Sequence, residues 1–329
     1  MTSYPACRIH QDPQHRIAIE PLERPGPAAG EVLVRVDYAS VNYKDALAGT
    51  GRGRILRRFP LTGGIDAAGR VELSQHPDFQ PGDPVIATGW GLGVEHDGGY
   101  AGYLRAPGDW LVPMPEGLDA RSAMILGTAG LTAALALERI QVNGQHPGHG
   151  PILVTGASGG VGSLAISMLA RLGYRVVAVS RKPGLKDWLK GLGAEEVMDP
   201  QAFAGHTRPL EHARWGGAID TVGSELLSQI SRTIVPNGNI AVVGLAGGSE
   251  LNLSVMPLIL RGVSLLGCNS VDIPNPLRRT LWQRLAGPWR PDLESILTET
   301  IGLAGLPAAF ERMLAGQTHG RILVKPQVG

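Results

Sequence analysis

The chain has 329 residues, of which 43% are hydrophobic, so it can bury one large core or two moderate ones, and two domains are the better expectation. Its 30 lysines and arginines stand against 29 acids, so no charge excess favours nucleic acid or an anionic membrane as a partner. The two cysteines are far apart, and we find no apolar run of signal-peptide or membrane-spanning length, so we expect a cytoplasmic protein.

The first part of the chain, to about residue 120, predicts a β-rich region. Residues 31–42 contain alternating valines, residues 69–73 form a second short strand pattern, and residues 81–89 place an apolar run after a Pro-Gly-Asp turn.

From about Ser122 the pattern changes to long helical stretches and buried strands. Residues 122–140 predict an apolar helix whose first part is broken by Gly127 and Gly130. The strands and helices that follow alternate and predict a parallel, doubly wound sheet. The predicted strands are 151–157, 175–180, 217–223, 238–247 and 262–270, and the predicted helices are 161–173, 184–193 and 225–235. The tail, 309–326, predicts a helix, a turn and a strand that could return to the first domain.

A glycine-rich turn joins the first of these strands to its helix. Gly156, Gly159 and Gly162 are spaced three apart, and small residues at a helix N-terminus allow a pyrophosphate to approach the backbone amides. The alternative is an ordinary tight connection in which glycine only eases packing. The predicted cofactor-binding residues of the turn are Gly156, Ser158, Gly159, Gly160, Val161 and Gly162.

The end of the second strand indicates which dinucleotide is bound. An acid there would bind the ribose 2′-hydroxyl of NAD, but this chain has Ser180, Arg181 and Lys182. These side chains match a 2′-phosphate and favour NADP(H), with a solvated basic loop as the alternative.

Two longer stretches carry a family resemblance: "SVNYKDALAGTGRGRILRRFPLTGGIDAAGRV" in the N-terminal region and "LGTAGLTAALAL" before the glycine turn. Together with the Rossmann unit they resemble the zinc-free quinone oxidoreductase branch of the medium-chain dehydrogenase/reductase superfamily, most closely the acrylyl-CoA reductase (AcuI/YhdH-like) family. The resemblance implies an α/β fold, with a GroES-like β-rich catalytic domain at 1–122 and 299–329 and a Rossmann NADP(H)-binding domain with a doubly wound parallel sheet at 123–298. It also implies a homodimer that pairs edge strands such as 262–270.

The resemblance bears on metal binding as well. Zinc-dependent relatives have a cysteine near the position of Asn42 and a histidine where this chain has Ile65. Because isoleucine cannot ligate zinc, we expect no catalytic zinc.

An activated alkene can be reduced without a metal. Hydride added to the β-carbon of a 2-enoyl thioester moves negative charge to the thioester oxygen. The protein must therefore orient the nicotinamide and the substrate, provide hydrogen-bond donors to that oxygen and deliver a proton to the α-carbon. We predict Tyr43, Asn42 and Asp45 as the catalytic residues, with Tyr43 as proton donor or enolate partner, Lys44 able to bias its pKa, and Asp45 orienting the segment. The alternative is that Tyr43 packs under a loop while Asn42 and Asp45 satisfy turn amides.

Further site residues follow from the resemblance. Thr128 matches a position beside the nicotinamide, Gly244 and Leu245 end a strand that lines the nicotinamide ribose, and Asn269 and Ser270 match a site near the carboxamide. Cys268-Asn269 stands where the family commonly has Ile-Asp, which leaves the role of Asn269 open. Arg321 is placed near the cofactor phosphates, with a surface arginine as the alternative.

A basic cluster follows the predicted catalytic segment. Its four guanidinium groups could bind the phosphates of coenzyme A, and a solvated loop is the alternative. The cluster consists of Arg52, Arg54, Arg57 and Arg58.

These observations predict an NADPH-dependent, metal-free reductase of an electron-poor double bond, with acryloyl-CoA as the leading substrate and propanoyl-CoA as its product. Quinone reduction is the enzymatic alternative, because a quinone is also a conjugated acceptor. A redox-sensing protein that binds NADPH to bias a partner interaction is an alternative from another class.

Overall fold

The structure is a computed structural model that describes residues 3–11, 14–205 and 207–327. The chain divides into two compact units. The first comprises the chain up to Thr128, Val271–Ala286 and the chain from Leu297 onward, and the second comprises Ala129–Ser270 and Gly287–Ile296. Compared with the predicted domain bounds of 1–122 and 299–329, the first unit also contains 123–128, 271–286 and 297–298.

The strands of the described residues are, in chain order, β1 Ser3–His10, β2 Arg16–Glu23, β3 Glu31–Ser40, β4 Leu61–Thr62, β5 Asp66–Ser74, β6 Pro84–Thr88, β7 Tyr103–Pro107, β8 Leu111–Pro113, β9 Ile152–Thr155, β10 Val176–Val179, β11 Glu196–Met198, β12 Trp215–Asp220, β13 Ile234–Val242, β14 Ser264–Gly267, β15 Leu297–Gly302 and β16 Arg321–Lys325. The α-helices are α1 Tyr43–Thr50, α2 Ala120–Val142, α3 Gly160–Arg171, α4 Lys186–Gly191, α5 Ser224–Ser231, α6 Met256–Arg261, α7 Asn275–Ala286, α8 Leu293–Ile296 and α9 Leu306–Leu314.

The first unit is built on two sheets. A three-stranded sheet has the order β2-β1-β4, and a seven-stranded sheet has the order β15-β16-β3-β5-β6-β8, with β7 paired to β3. Strand β16 runs antiparallel to β3, with Leu323 opposite Ser40 and Val324 opposite Ala39. The predicted return of the tail to the first domain is therefore confirmed, and it brings Arg321 to the end of β3.

The second unit is a six-stranded parallel sheet with the order β11-β10-β9-β12-β13-β14. The predicted doubly wound fold is confirmed. The chain reverses its direction of travel across the sheet between β9 and β12, and open sheets of this type bind ligands at the carboxyl ends of the strands beside that reversal. In α3, the apolar side chains of Leu164, Ala165 and Met168 are buried.

Helix α2 contains the predicted break. Gly127 has φ 51° and ψ −155°, which is not helical, so α2 consists of two helices that meet at this residue. By length and composition α2 is the one helix of the described residues that could cross a membrane, but 78% of its most apolar window is buried. That burial is typical of a core helix.

Several elements were not foreseen from the sequence, among them α1, β11, α6, α7, α8 and β15. Helix α7 belongs to the first unit although it follows the six-stranded sheet in sequence. Its Arg278 is fully buried and donates to the backbone carbonyl of Thr88 at 2.8 Å and to the Val271 carbonyl at 2.7 Å. Three apolar side chains of the same helix, Leu281, Trp282 and Leu285, are also buried.

Candidate active site

The segment Asn42-Tyr43-Lys44-Asp45 forms the start of helix α1. Asn42 is the residue that precedes the helix, and its backbone N–H donates to Asp45 Oδ2 at 3.0 Å. This is the reciprocal bond by which an acid in the first helical turn satisfies the backbone before it. Asn42 and Asp45 are buried, whereas the Tyr43 side chain is 46% exposed. Tyr43 is therefore the member of the segment that a bound molecule can reach.

Asp66 connects two of the predicted site residues of the first unit, Asn42 and Thr128. It is fully buried, and its Oδ2 accepts from Ser40 Oγ at 2.5 Å, from Asn42 Nδ2 at 2.8 Å and from the Thr128 backbone N–H at 2.9 Å. Its Oδ1 accepts a bond from the Thr128 hydroxyl. Asn42 and Thr128 were predicted from the sequence as separate site residues, and one carboxylate holds both.

Asp45 is a second buried carboxylate beside the first. Its Oδ2 accepts from Asn42 Nδ2 at 3.1 Å, and its Oδ1 accepts from the Ile65 backbone N–H at 3.0 Å. Burial raises the pKa of Asp45 to about 7, the negative charge of Asp66 adds to this, and the bonds from Asn42 and Ile65 oppose it. Near neutral pH, Asp45 is therefore held partly in its protonated form.

Arg321 supplies the positive charge of the cluster. It is 3% exposed, so it is not the surface arginine of the alternative interpretation. Its Nε donates to the Ile125 carbonyl at 2.9 Å, and its Nη1 donates to the Val41 carbonyl at 3.2 Å and to Asn42 Oδ1 at 3.3 Å. Its Nη2 is buried without a hydrogen-bond partner among the described residues. Burial lowers the pKa of Arg321, and the charge of Asp66 acts in the opposite direction.

The glycine turn of the second unit fits an anion. Gly156 has φ +56°, and a Cβ placed there would lie 2.1 Å from Thr221 Oγ1. A Cβ on Gly162 would lie 2.5 Å from the Gly156 carbonyl oxygen, so both positions require glycine. Gly159 precedes helix α3 and provides no side chain to cap it. The amides of the first helical turn and the positive end of the helix dipole therefore suit a pyrophosphate, which is the fit that the sequence predicts.

A buried acid below this turn was not predicted. Asp220 ends strand β12, and its Oδ1 accepts from the Thr155 hydroxyl at 2.6 Å while its Oδ2 accepts from the Gly223 backbone N–H at 2.7 Å. The bond to Thr155 joins the carboxyl ends of β9 and β12, where the turn begins. Burial raises the pKa of Asp220. The sequence contained one sign of this site, because Asp220 is the only acid in the otherwise apolar segment 215–220.

The three residues after strand β10 lie where a 2′-phosphate would be recognised. Ser180 is 9% exposed, and its hydroxyl accepts from the Lys182 backbone N–H at 3.2 Å. Arg181 is exposed. Burial lowers the pKa of Lys182, and the neighbouring charge of Arg181 adds to this. These positions contain no acid.

The remaining predicted cofactor residues lie at the carboxyl end of the same sheet. The Gly244 N–H donates to the Asp220 carbonyl at 3.3 Å, and Leu245 is 65% exposed. Ser270 is buried, and its hydroxyl lies 2.7 Å from Thr132 Oγ1, while Asn269 is exposed.

In the predicted basic cluster, three of the four arginines have acidic partners. Arg52 pairs with Glu311 and Arg57 with Glu95, both at 2.7 Å, and Arg58 lies 3.8 Å from Asp97. Arg54 is exposed and has no acidic partner among the described residues. Exposed pairs of this kind contribute about 0–1 kcal/mol each, so an incoming phosphate could displace them.

Two family descriptions match the chain. Residues 28–116 match "Alcohol dehydrogenase GroES-like domain", and residues 160–287 match "Zinc-binding dehydrogenase".

Similar proteins match along almost the whole chain. The chain is 46% identical to "Probable acrylyl-CoA reductase AcuI" of Escherichia coli, over 96% of this chain and 97% of that protein. It is 45% identical to "Putative quinone oxidoreductase YhfP" of Bacillus subtilis, over 94% of this chain and 93% of that protein.

Two solved structures have the same fold. The Salmonella enterica yhdH oxidoreductase in complex with NADP has a TM-score of 0.94 at 44% identity, covering 98% of this chain and 100% of that one. The Bacillus subtilis yhfP protein with NAD bound has a TM-score of 0.95 at 42% identity, covering 99% and 100%.

Proposed function

The chain belongs to the acrylyl-CoA reductase (AcuI/YhdH-like) family of the medium-chain dehydrogenase/reductase superfamily, and on that basis we propose that it is an NADPH-dependent reductase of an activated C=C bond. Its leading substrate is acryloyl-CoA, which it reduces to propanoyl-CoA without a metal. The observation that carries this proposal is the similarity, over nearly the whole chain, to relatives named acrylyl-CoA reductase.

The second unit provides the residues for the cofactor. The glycine turn and the start of α3 would hold the pyrophosphate, and Arg181 and Lys182 would hold the 2′-phosphate. When bound, the reduced nicotinamide supplies a hydride. Because no acid follows β10, nothing at that position would repel a 2′-phosphate, which supports NADPH over NADH.

The side chains that replace the zinc ligands of other family members support metal-free chemistry. Asn42 has its amide engaged with Asp45, Asp66 and Arg321, and Ile65 is a buried hydrocarbon side chain. Neither supplies a thiolate or an imidazole. Within 3–11, 14–205 and 207–327, no group of three His, Cys, Asp or Glu side chains could hold a metal ion.

The first unit provides the groups for the substrate. Both protons of the Asn42 amide are engaged by carboxylates, so we assign this residue to positioning. Tyr43 is exposed directly next to it, and its hydroxyl is the group we assign to the thioester oxygen or to proton delivery at the α-carbon. Asp45 holds Asn42 and thereby the start of the helix on which Tyr43 lies.

Acryloyl-CoA differs from a small quinone in its long anionic tail. Among the described residues, Arg54 is the one arginine of the basic cluster without an acidic partner, and we assign it to the coenzyme A phosphates. Arg52, Arg57 and Arg58 can exchange their carboxylate partners for phosphate. Quinone reduction is the second candidate, because the similar Bacillus subtilis protein is named as a quinone oxidoreductase.

The experiment compares NADPH oxidation by chelator-treated protein with acryloyl-CoA and with benzoquinone, and identifies propanoyl-CoA by mass spectrometry. We expect a higher kcat/KM for the thioester. Arg54→Gln should raise the KM for acryloyl-CoA and leave the KM for benzoquinone unchanged, whereas Arg175→Gln, which alters an exposed arginine outside the cluster, should change neither. A higher kcat/KM for benzoquinone would make the thioester assignment wrong and support the quinone reductase.

We also propose a cytoplasmic homodimer that pairs the β14 edges of two copies. Strand β14 is the edge of the six-stranded sheet, and helix α6 just before it exposes large apolar side chains. Ile259 is 73% exposed and Leu260 62% exposed. Covering such an edge and such side chains removes an aggregation hazard. Sedimentation equilibrium should give a dimer, and Ile259→Lys should weaken it.

A further inference from the structure

The Asp66 carboxylate joins two segments that are far apart in the sequence. One is the start of helix α1 with Asn42 and Tyr43, and the other is Thr128 after the break in α2. Asp66 accepts four hydrogen bonds and is fully buried, so its carboxylate does not reach solvent. Its contacts with both segments lie within the first unit.

The two segments have different parts in the proposed reaction. Tyr43 is assigned to the substrate, and Thr128 matches the position predicted to lie beside the nicotinamide. Hydride transfer requires the reacting atoms to be held about 3–3.5 Å apart with the correct orientation, and a misplacement of about 1 Å can lower the rate about a hundredfold. A group that fixes both segments at once can therefore control the rate without touching either partner.

We infer that Asp66 is a positioning residue of the proposed reductase, which orients the Asn42-Tyr43 segment and Thr128 relative to each other through its hydrogen bonds. The inference rests on the proposed function.

A carboxylate suits this role better than an amide. The four bonds at Asp66 come from donors: the hydroxyls of Ser40 and Thr128, the Thr128 amide and the Asn42 side-chain amide. An asparagine at position 66 would place its NH₂ group at one of two points. At Oδ1 it would face the Thr128 hydroxyl, which would have to reverse its bond and accept, and at Oδ2 it would face the Asn42 and Thr128 amides, which cannot accept. Asp66→Asn therefore keeps the size of the side chain and reverses or breaks at least one of the four bonds.

Charged groups of both signs surround the Asp66 carboxylate. The groups that interact electrostatically with Asp66 are the guanidinium groups of Arg321 and Arg278, the Asp45 carboxyl and the Tyr100 hydroxyl. The last two lie in the same buried cluster, and burial raises the pKa of both. The two guanidinium charges can balance the negative charge of Asp66.

The test compares Asp66→Asn with Asp220→Asn. Both replace a buried aspartate that accepts hydrogen bonds, but Asp220 lies below the nucleotide turn. We expect Asp66→Asn to lower kcat on the order of a hundredfold and to leave the Kd for NADPH unchanged, whereas Asp220→Asn should raise that Kd. The rate is expressed per bound NADPH. If Asp66 had only a structural role, the substitution would lower the fraction of protein that binds NADPH but not the rate of the protein that has bound it. A wild-type kcat per bound NADPH in Asp66→Asn would overturn the inference.

A double-mutant cycle tests the connection to Thr128. Thr128→Val is introduced into the wild-type protein and into Asp66→Asn. If Thr128 acts through Asp66, the substitution should lower kcat by a larger factor in the wild-type protein than in Asp66→Asn. Equal factors in both backgrounds would contradict the inference.

One measurement separates this inference from the proposed function. If the wild-type protein reduces neither acryloyl-CoA nor benzoquinone, the proposed function is wrong, and amide hydrogen exchange then tests Asp66 alone. Exchange at residues 42–45 and 127–128 should be faster in Asp66→Asn than in Asp220→Asn. Equal exchange in the two variants would overturn the inference.

Discussion

Gly127 interrupts helix α2 directly before Thr128, at a φ and ψ that residues with a Cβ rarely adopt. A Cβ at this position would lie 2.6 Å from both Asp66 Oδ2 and Ser40 Oγ, and 3.0 Å from Arg321 Nη2. Gly127→Ala therefore adds backbone strain of about 1–3 kcal/mol and disrupts at least one buried bond to Asp66, which costs about 1–3 kcal/mol. The expected decrease in the free energy of unfolding is the sum, about 2–6 kcal/mol.

Urea unfolding followed by circular dichroism measures this decrease. The control is Gly191→Ala, because Gly191 ends helix α4 and a Cβ there meets no heavy atom within 4 Å. We expect this control to be neutral or to stabilise the protein by up to about 1 kcal/mol. If Gly127→Ala costs less than about 1 kcal/mol, the cluster around Asp66 is looser than the structure indicates, and the reasoning above is refuted.

Three further predictions concern single residues. Tyr43→Phe should lower kcat by about 10²–10⁴-fold with little change in the Kd for NADPH, since it removes only a hydroxyl, and an unaltered rate in stopped-flow assays would exclude Tyr43 from the mechanism. Arg181→Ala should weaken NADPH binding by about 10–100-fold and leave NADH binding nearly unchanged, and equal losses in fluorescence titrations would refute the phosphate assignment. Because the pKa of Asp45 is raised from 3.8 to about 7, the folded chain keeps a proton that the unfolded chain releases, so the free energy of unfolding should fall as pH rises between these values. Asp45→Asn should flatten that dependence in urea titrations at several pH values, and an unchanged slope would contradict the raised pKa.

The parallel sheet and the glycine turn could be predicted because their causes are local. Buried strands, apolar helical stripes and glycines at fixed spacing are visible in a single window of sequence. The break at Gly127 was predicted for the same reason. Residues 275–286, which form α7, fell within the nucleotide-binding domain predicted from sequence at 123–298, whereas the buried Arg278 of this helix bonds to Thr88 in the first unit.

The candidate site shows where such prediction ends. Asn42, Asp45, Thr128 and Arg321 were each identified from motifs, but nothing in those motifs indicated that Asp66 would bond to two of them, Asn42 and Thr128. That convergence depends on the pairing of distant strands, which no local pattern specifies. The same holds for the acidic partners of the basic cluster, since Glu95 and Glu311 are remote from it in sequence.

The pairing of β16 with β3 has a consequence for how the protein is made. Arg321 bonds to Val41, a residue 280 positions earlier, so the large sheet of the first unit and the cluster around Asp66 can be completed only after strand β16 has left the ribosome. Most of the second unit, Ala129–Ser270, is continuous in sequence and is synthesised earlier. Domains generally fold as units during synthesis, so the nucleotide-binding fold can form first. A chain that stops before β16 would lack the Arg321 guanidinium, which bonds to Asn42 and lies near Asp45 and Asp66. Such an incomplete product could bind the nucleotide and still lack a complete active site.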